Sequence, residues 1–495
     1  MPFPKSLSRS TSFFTNTLLL VGGSGFSQFV LAATAPLLTR LYAPADFGVY
    51  AVLQSLANFA AAVASLRYET AIMLPRTDRA AANVAVLSFA AVGLLSLLTV
   101  PVTIVAWRVL GGVRGVRIPF ELAMLVPLSI AALGVQQVLR SWFLRSHMFA
   151  AVTVLLVVQA VVMVGLQIAA GFAWGSQAFY LAAASLLGTV VSTFVVLPAL
   201  RREGLGRLRQ AISRRRLAAV ARRYRRFPLY TAPFSFIAQI TQRGPILLLA
   251  LLAGPAATGA FALAQRTIYL PITVVITSLS QAFYRRAAGK LHDPVVHGLV
   301  RRVLLALVLL AGPLFILTAF DMPGIFAFVF GAAWREAGRY GAWLALAAFA
   351  MSLTFWLDRV FEMQGRQRLA LVLETAFNLV CLPLLALVLY GTRSVEYTVI
   401  AFSMLSILYN LLYLGVSLDI ARIERRLLFE TVAAALAVVL YSMAIHYGLR
   451  ALTDDDMLYA ALAAALAMPP VVLGILIALG RIVPPRLAAA RATSA

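Results

Sequence analysis

Arg243 and Arg266 each lie inside a long apolar run, SFIAQITQRGPILLLALL and GAFALAQRTIYLPITVVI. A guanidinium stays charged, and its planar fork matches the oxygens of phosphate two at a time. Held well inside a bilayer, such a group faces the bundle interior, pairs with an acid or marks a substrate path. Acids at a matching depth are scarce. Glu374 and Glu430 sit toward the opposite ends of their segments, and Glu121 sits at a segment end. Two bland readings stand beside the functional one: a snorkelling arginine or an internal ion pair. The functional reading is a cationic cavity awaiting an anionic substrate. Gln28, Gln54, Gln239 and Gln265 share these apolar stretches and offer hydrogen bonds to sugar or phosphate. Arg67 and Glu69 fall at the inner end of a segment, where they read either as an interfacial pair serving topology or as part of a cytoplasmic gate.

The elements that carry these residues are copies of each other. Ser24, Gln28, Leu37, Leu38, Leu41, Pro44, Ala45, Gly48, Ala51 and Gln54 all recur 211 positions later, without a gap. An internal repeat of this kind announces a duplicated architecture. Ala32 and Ser55 in the first copy are replaced by Arg243 and Arg266 in the second, so one half has gained charge. Breaks also match. The first segment holds Gly22, Gly23, Gly25 and Pro36, the seventh Pro233, Gly244 and Pro245. Interrupted segments at corresponding places point to a transporter site, while small residues alone also permit close helix packing.

Enzyme chemistry finds little support. His147, His292, His297 and His446 have no metal-ligand spacing, and no phosphate-cradling nucleotide loop is present. Asp454, Asp455 and Asp456 resemble a metal-binding acidic motif, but they precede an apolar run, where Asp favours a helix start. Cys381 is alone, which excludes a disulfide framework. No catalytic residue, metal or cofactor is expected.

Of the 495 residues, 62% are apolar and 12% charged, far from a soluble domain. The net charge of +24 would suggest nucleic acid in a soluble protein, but here the arginines sit between apolar runs and set topology. A spanning helix needs roughly 20 apolar residues. Fourteen fit, at 14–39, 45–66, 80–106, 119–139, 148–170, 177–199, 229–252, 258–283, 303–320, 339–357, 369–390, 396–417, 428–448 and 457–479. With both termini inside, inner loops and tails hold 32 Lys and Arg, and the outer loops, with Arg339 at the edge of a span, hold 8, as the positive-inside rule demands. The outer loops are short. The longest, 321–338, is partly apolar. The expected fold is therefore an all-α polytopic membrane protein with two pseudo-symmetric six-helix lobes and two additional C-terminal helices. Its parts are an N-lobe over 1–200, a basic cytoplasmic linker over 201–228, a C-lobe over 229–420 and the extra pair with the tail over 421–495. The linker stretch 200–228 carries eleven arginines against one acid, Glu203. It reads as a connector held near anionic headgroups or as a docking surface for a partner enzyme.

Four stretches give the chain a family resemblance: PLLTRLYAPADFGVYA (36–51), LRYETAIMLPRTDRAAAN (66–83), FGAAWREAGRY (330–340) and GRQRLAL (365–371). With the repeat between the first two and the seventh and eighth segments, they resemble polysaccharide or oligosaccharide flippases of the Wzx type. The superfamily of these flippases includes the MATE exporters and MurJ. That resemblance implies two lobes around a central cavity and alternating access without ATP. It implies a substrate of undecaprenyl-diphosphate-linked oligosaccharide, moved to the outer leaflet of a bacterial inner membrane. Arg266 falls on the eighth helix, where MurJ-like flippases place a cavity arginine. The arginines that MurJ carries in its first two helices have no counterpart at Ala32 or Ser55. The extra two helices would lie along the lipid tail or simply pack in the membrane. Partners would be the lipid-linked oligosaccharide, membrane lipids, and a polysaccharide polymerase with its chain-length machinery. The competing readings are a cation-coupled MATE-type exporter, a membrane glycan polymerase or ligase, and a transport-inactive scaffold. A polymerase or ligase would bring a large catalytic outer loop.

Overall fold

A computed structural model describes residues 5–110, 119–203, 214–453 and 455–479. Asp454, linker residues 204–213 and the tail 480–495 lie outside the described residues. Among those described, the chain is helical with no strand, and fourteen long helices match the fourteen expected segments. They are α1 (Lys5–Leu41), α2 (Pro44–Ala64), α3 (Asp78–Leu110), α4 (Phe120–Arg145), α5 (Phe149–Trp174), α6 (Ala178–Glu203) and α7 (Ala232–Leu252). The remainder are α8 (Pro255–Ala287), α9 (Pro294–Phe330), α10 (Arg335–Thr354), α11 (Gln367–Thr392), α12 (Val395–Ile420), α13 (Arg426–Leu452) and α14 (Asp456–Ala478). Twelve described helical stretches are long and apolar enough to cross a membrane, and the bent α7 raises the number to 13. The chain is a multi-pass membrane protein.

Local chemistry sets the helix starts. Pro44 and Pro255 open α2 and α8, where a missing N–H costs nothing. The Asp293 side chain accepts from Val295 N–H at 2.8 Å to cap α9, and Ser394 caps α12 by accepting from Tyr397 N–H. Asp455 accepts from Leu458 N–H at 3.1 Å, so it serves the start of α14 as the capping reading of the acidic run expects.

Contacts divide the chain into two compact units, residues 1–262 and 263–495. In unit 1, α2 packs on α4 and α7, α5 on α1 and α6, and α3 on α4. Its core mixes Leu53, Val138, Trp142 and Phe143 with many alanines, including Ala57, Ala64, Ala71, Ala81 and Ala82. Small residues bring membrane helices close where lipid leaves no hydrophobic drive between them. Large side chains instead turn outward: Leu97 is 71% exposed and Phe194 66%. In unit 2, α9 packs on α10, α13 and α14, and α12 on α10 and α11, around buried Trp334, Trp356, Phe326 and Phe361.

The motif stretches become specific joints. Asp46 of the PADFG run accepts from Ala178 N–H at 3.0 Å, which ties the start of α2 to the start of α6. In RYETAIMLP, Leu66 and Arg67 take left-handed backbones with φ of 53° and 61°. Arg145 of α4 then donates to the carbonyls of Ile72 and Met73 at 3.0 and 3.3 Å.

One expectation needs correction. The apolar outer loop at 321–338 does not exist as a loop, because α9 continues to Phe330. Asp321 made the sequence look like a segment end, but Arg450 of α13 donates to it at 3.1 Å, so the charge is paired within the helix. The turn follows at Gly331, whose φ of 106° a residue with Cβ rarely adopts.

Candidate functional site

The repeat positions meet physically at one place. Gly48 of α2 and Gly259 of α8, both in unit 1, lie where these helix starts cross backbone to backbone. A Cβ on Gly48 would lie 1.7 Å from the Pro255 carbonyl oxygen, and one on Gly259 1.9 Å from that of Pro44. Pro44 and Pro255 are themselves repeat partners, so the crossing is symmetric and only glycine fits on either side. The shared spacing within the repeat is thus a contact surface.

Helix α7 is the interrupted element. Stretches Phe227–Ile237 and Gln242–Leu252 are bent by 57°. Pro245 removes the hydrogen bond to residue 241 and its ring crowds that carbonyl, which places the break beside it. Gln239 lies in the break and Arg243 one turn beyond. Both are half-buried. Gln239 Oε1 and Arg243 Nε are buried without a hydrogen-bond partner among the described residues. No described carboxylate pairs with Arg243 or Arg266, so the ion-pair reading has no acid to stand on. An unmet buried donor or acceptor costs about 1–3 kcal/mol. Arg243 lies nine residues from Leu252, about 14 Å along the helix, and Arg266 eleven from Pro255, about 16 Å. Both arginines thus lie well inside their helices and not in a terminal turn.

Gln28 is exposed and Gln54 half-buried; with Gln239 and Arg243 they belong to unit 1. Gln265, half-buried, and Arg266, exposed, belong to unit 2. Gln54 donates from Nε2 to Ser185 Oγ at 3.0 Å. It thereby joins a polar ladder that sequence reasoning missed. Gln136 Nε2 donates to Gln159 Oε1 at 3.0 Å and Ser192 Oγ at 3.2 Å, and Gln159 Nε2 to Thr189 Oγ1 at 3.0 Å. These residues sit about halfway along α4, α5 and α6, where neutral hydrogen bonds hold helices together. Amides inside apolar segments were the available signal.

Arg67 and Glu69 pair at 3.2 Å, and Ser65 Oγ donates to the Glu69 carboxylate. Glu69 is 1% exposed, so this pair braces the loop between α2 and α3 inside its own unit. Unit 2 has its own missed cluster: Tyr413 of α12 donates to Asp358, with Phe361 and Tyr409 rings 4.9 and 5.8 Å from that of Tyr413. Among the described residues no group of His, Cys, Asp and Glu is arranged to hold a metal.

This architecture is a transporter fold of the membrane. The lipid II flippase MurJ, in an inward closed conformation, matches with a TM-score of 0.70 and 11% identity, covering 93% of this chain and 98% of that one. An inward-facing multidrug resistance MATE transporter of the MOP superfamily gives 0.52 at 17% identity, covering 82% and 95%. A mutant of the Vibrio cholerae MATE transporter VcmN gives 0.52 at 15%, covering 85% and 99%. These likenesses establish the fold. The polysaccharide biosynthesis protein family model matches residues 37–339, and the chain belongs to that family. No curated protein matches it.

Proposed function

We propose that this protein is a flippase. It translocates an undecaprenyl-diphosphate-linked oligosaccharide across the bacterial inner membrane by alternating access, for synthesis of a surface polysaccharide. The observation that carries the reading is the bend of α7, where Gln239 Oε1 and Arg243 Nε are buried without partners. A diphosphate supplies acceptor oxygens for the guanidinium, and a sugar hydroxyl supplies a donor for the amide. Family membership and the shared fold support the same reading. In it, Arg243 and Arg266 each contact the diphosphate, while Gln28, Gln54, Gln239 and Gln265 bond sugar or phosphate. Two six-helix lobes carry out the exchange, both termini stay in the cytoplasm, and polymerase and chain-length proteins take up the product.

Binding favours one access state over the other only through a difference in affinity. The crossing of α2 and α8 supplies the bistable contact: closed, its backbones touch at Gly48 and Gly259 on the face that the charge asymmetry assigns outside. Opening that face requires the two helix starts to part.

Proteoliposomes containing the purified protein test the proposal. A fluorescent undecaprenyl-diphosphate oligosaccharide, scored by a membrane-impermeant quencher, should equilibrate between leaflets faster than in protein-free vesicles. Equal rates with and without protein would discard the flippase. The Asp358 carboxylate beside Tyr413 favours a second reading, a cation-coupled exporter of small molecules; that protein would expel small molecules when a cation gradient is imposed and leave the lipid in place.

A further inference from the structure

Residues 214–231, the described end of the arginine-rich connector before α7, form an element with two unlike faces. Helix Arg214–Arg223 packs against α3. Val220, Tyr224 and Phe227 bury against the core of unit 1, and a single π-helical turn, Phe227–Thr231, leads straight into α7. Arg222, Arg223, Arg225 and Arg226 all point the other way and are exposed. None of these four has an acidic partner among the described residues, and the sequence holds no Asp or Glu between Glu203 and Asp293.

A basic amphipathic helix usually binds a membrane by inserting its apolar face. Here that face is already covered by protein. What remains is a compact guanidinium surface beside the inner end of α7. Guanidinium forks match phosphate oxygens, and the cytoplasmic leaflet presents a negative potential. We infer that Arg222, Arg223, Arg225 and Arg226 form a binding face for anionic phospholipid headgroups of the inner leaflet, which fixes the inner end of α7 without acyl insertion. The charge-based orientation underlies this assignment; the transported substrate does not enter it.

The test uses the full-length protein in nanodiscs of phosphatidylcholine with graded phosphatidylglycerol, and measures the lipid retained after mild detergent washing. Wild type should prefer phosphatidylglycerol. The set Arg222→Gln, Arg223→Gln, Arg225→Gln and Arg226→Gln should lose that preference at least about tenfold, since each basic residue near an anionic surface is worth about fivefold. Lysine at the same four positions should retain most of it, which separates lost charge from lost folding. Glutamine at Arg285, Arg286, Arg366 and Arg368, also exposed, should leave it nearly intact. Salt of about 1 M should abolish the wild-type preference, because charges screen over about 3 Å there. The proposal fails if the four-glutamine protein keeps the wild-type preference, in which case the arginines serve topology or an acidic protein. It fails equally if high salt leaves the preference unchanged, since insertion would then hold the helix.

Discussion

The crossing of α2 and α8 makes a sharp demand on Gly48. A methyl group there starts 1.7 Å from the Pro255 carbonyl oxygen, and backbone nitrogen of Gly259 lies 2.9 Å away. Ordinary C···O contact needs about 3.3 Å, so the helix starts must part by about 1.6 Å. Side-chain rotation cannot relieve an overlap with backbone. Overpacking of this kind costs about 1–3 kcal/mol, which shifts a two-state equilibrium by about 5–150-fold. The shift should disfavour the closed crossing. A cysteine replacing Ala45 reports it, through labelling by an impermeant maleimide added outside cells; native Cys381 is buried. Gly48→Ala should raise the labelling rate several-fold or more and slow transport, and Gly259→Ala should do the same. Gly93→Ala, with nothing within 4 Å of the new methyl, should change neither. Wild-type labelling and transport in a folded Gly48→Ala protein would refute the argument that this contact gates the path.

Other expectations follow from the polar groups inside the helices. Arg243→Ala and Arg266→Ala should each reduce lipid flipping in proteoliposomes at least about tenfold, the loss expected for a charged hydrogen bond worth about 1.5–3 kcal/mol, with thermal stability unchanged. Glu69→Ala should destabilise unit 1 by about 3 kcal/mol, the cost of leaving one member of a buried pair alone, seen as a lower melting temperature and poorer membrane yield. Gln136→Leu removes the bonds to Gln159 and Ser192. At about 0.6 kcal/mol for each membrane hydrogen bond, it should cost about 1 kcal/mol, measurable by thermal size-exclusion profiles.

Helix number and position were legible in the sequence because membrane thickness imposes a length on every apolar run. The basic loops independently fixed which runs count. The break in α7 was legible from Gly244 and Pro245, whose chemistry is local. The meaning of Pro44, Gly48, Pro255 and Gly259 was not, since a contact between helices 211 positions apart leaves only a repeated pattern. Asp321 misled for the same reason: its partner Arg450 lies 129 residues on, and a lone acid in an apolar run reads as an end. The Gln136 ladder escaped because neutral amides carry no topology signal, and each finds its partner only once α2, α4, α5 and α6 are packed. Arg67 and Glu69 could be seen as a pair from their spacing, but the burial of Glu69 is set by tertiary packing, in a stretch where Tyr68, Ala71 and Ile72 are buried in the core.

The central claim is tested most directly in cells. A bacterial strain carrying this gene is deleted for it, its glycan polymerisation is blocked, and the leaflet holding its lipid-linked oligosaccharides is determined. The account predicts complete units accumulating on the cytoplasmic side, released by the wild-type gene and retained with Arg266→Ala. Units appearing in the outer leaflet of the deletion strain, with no second flippase present, would contradict it.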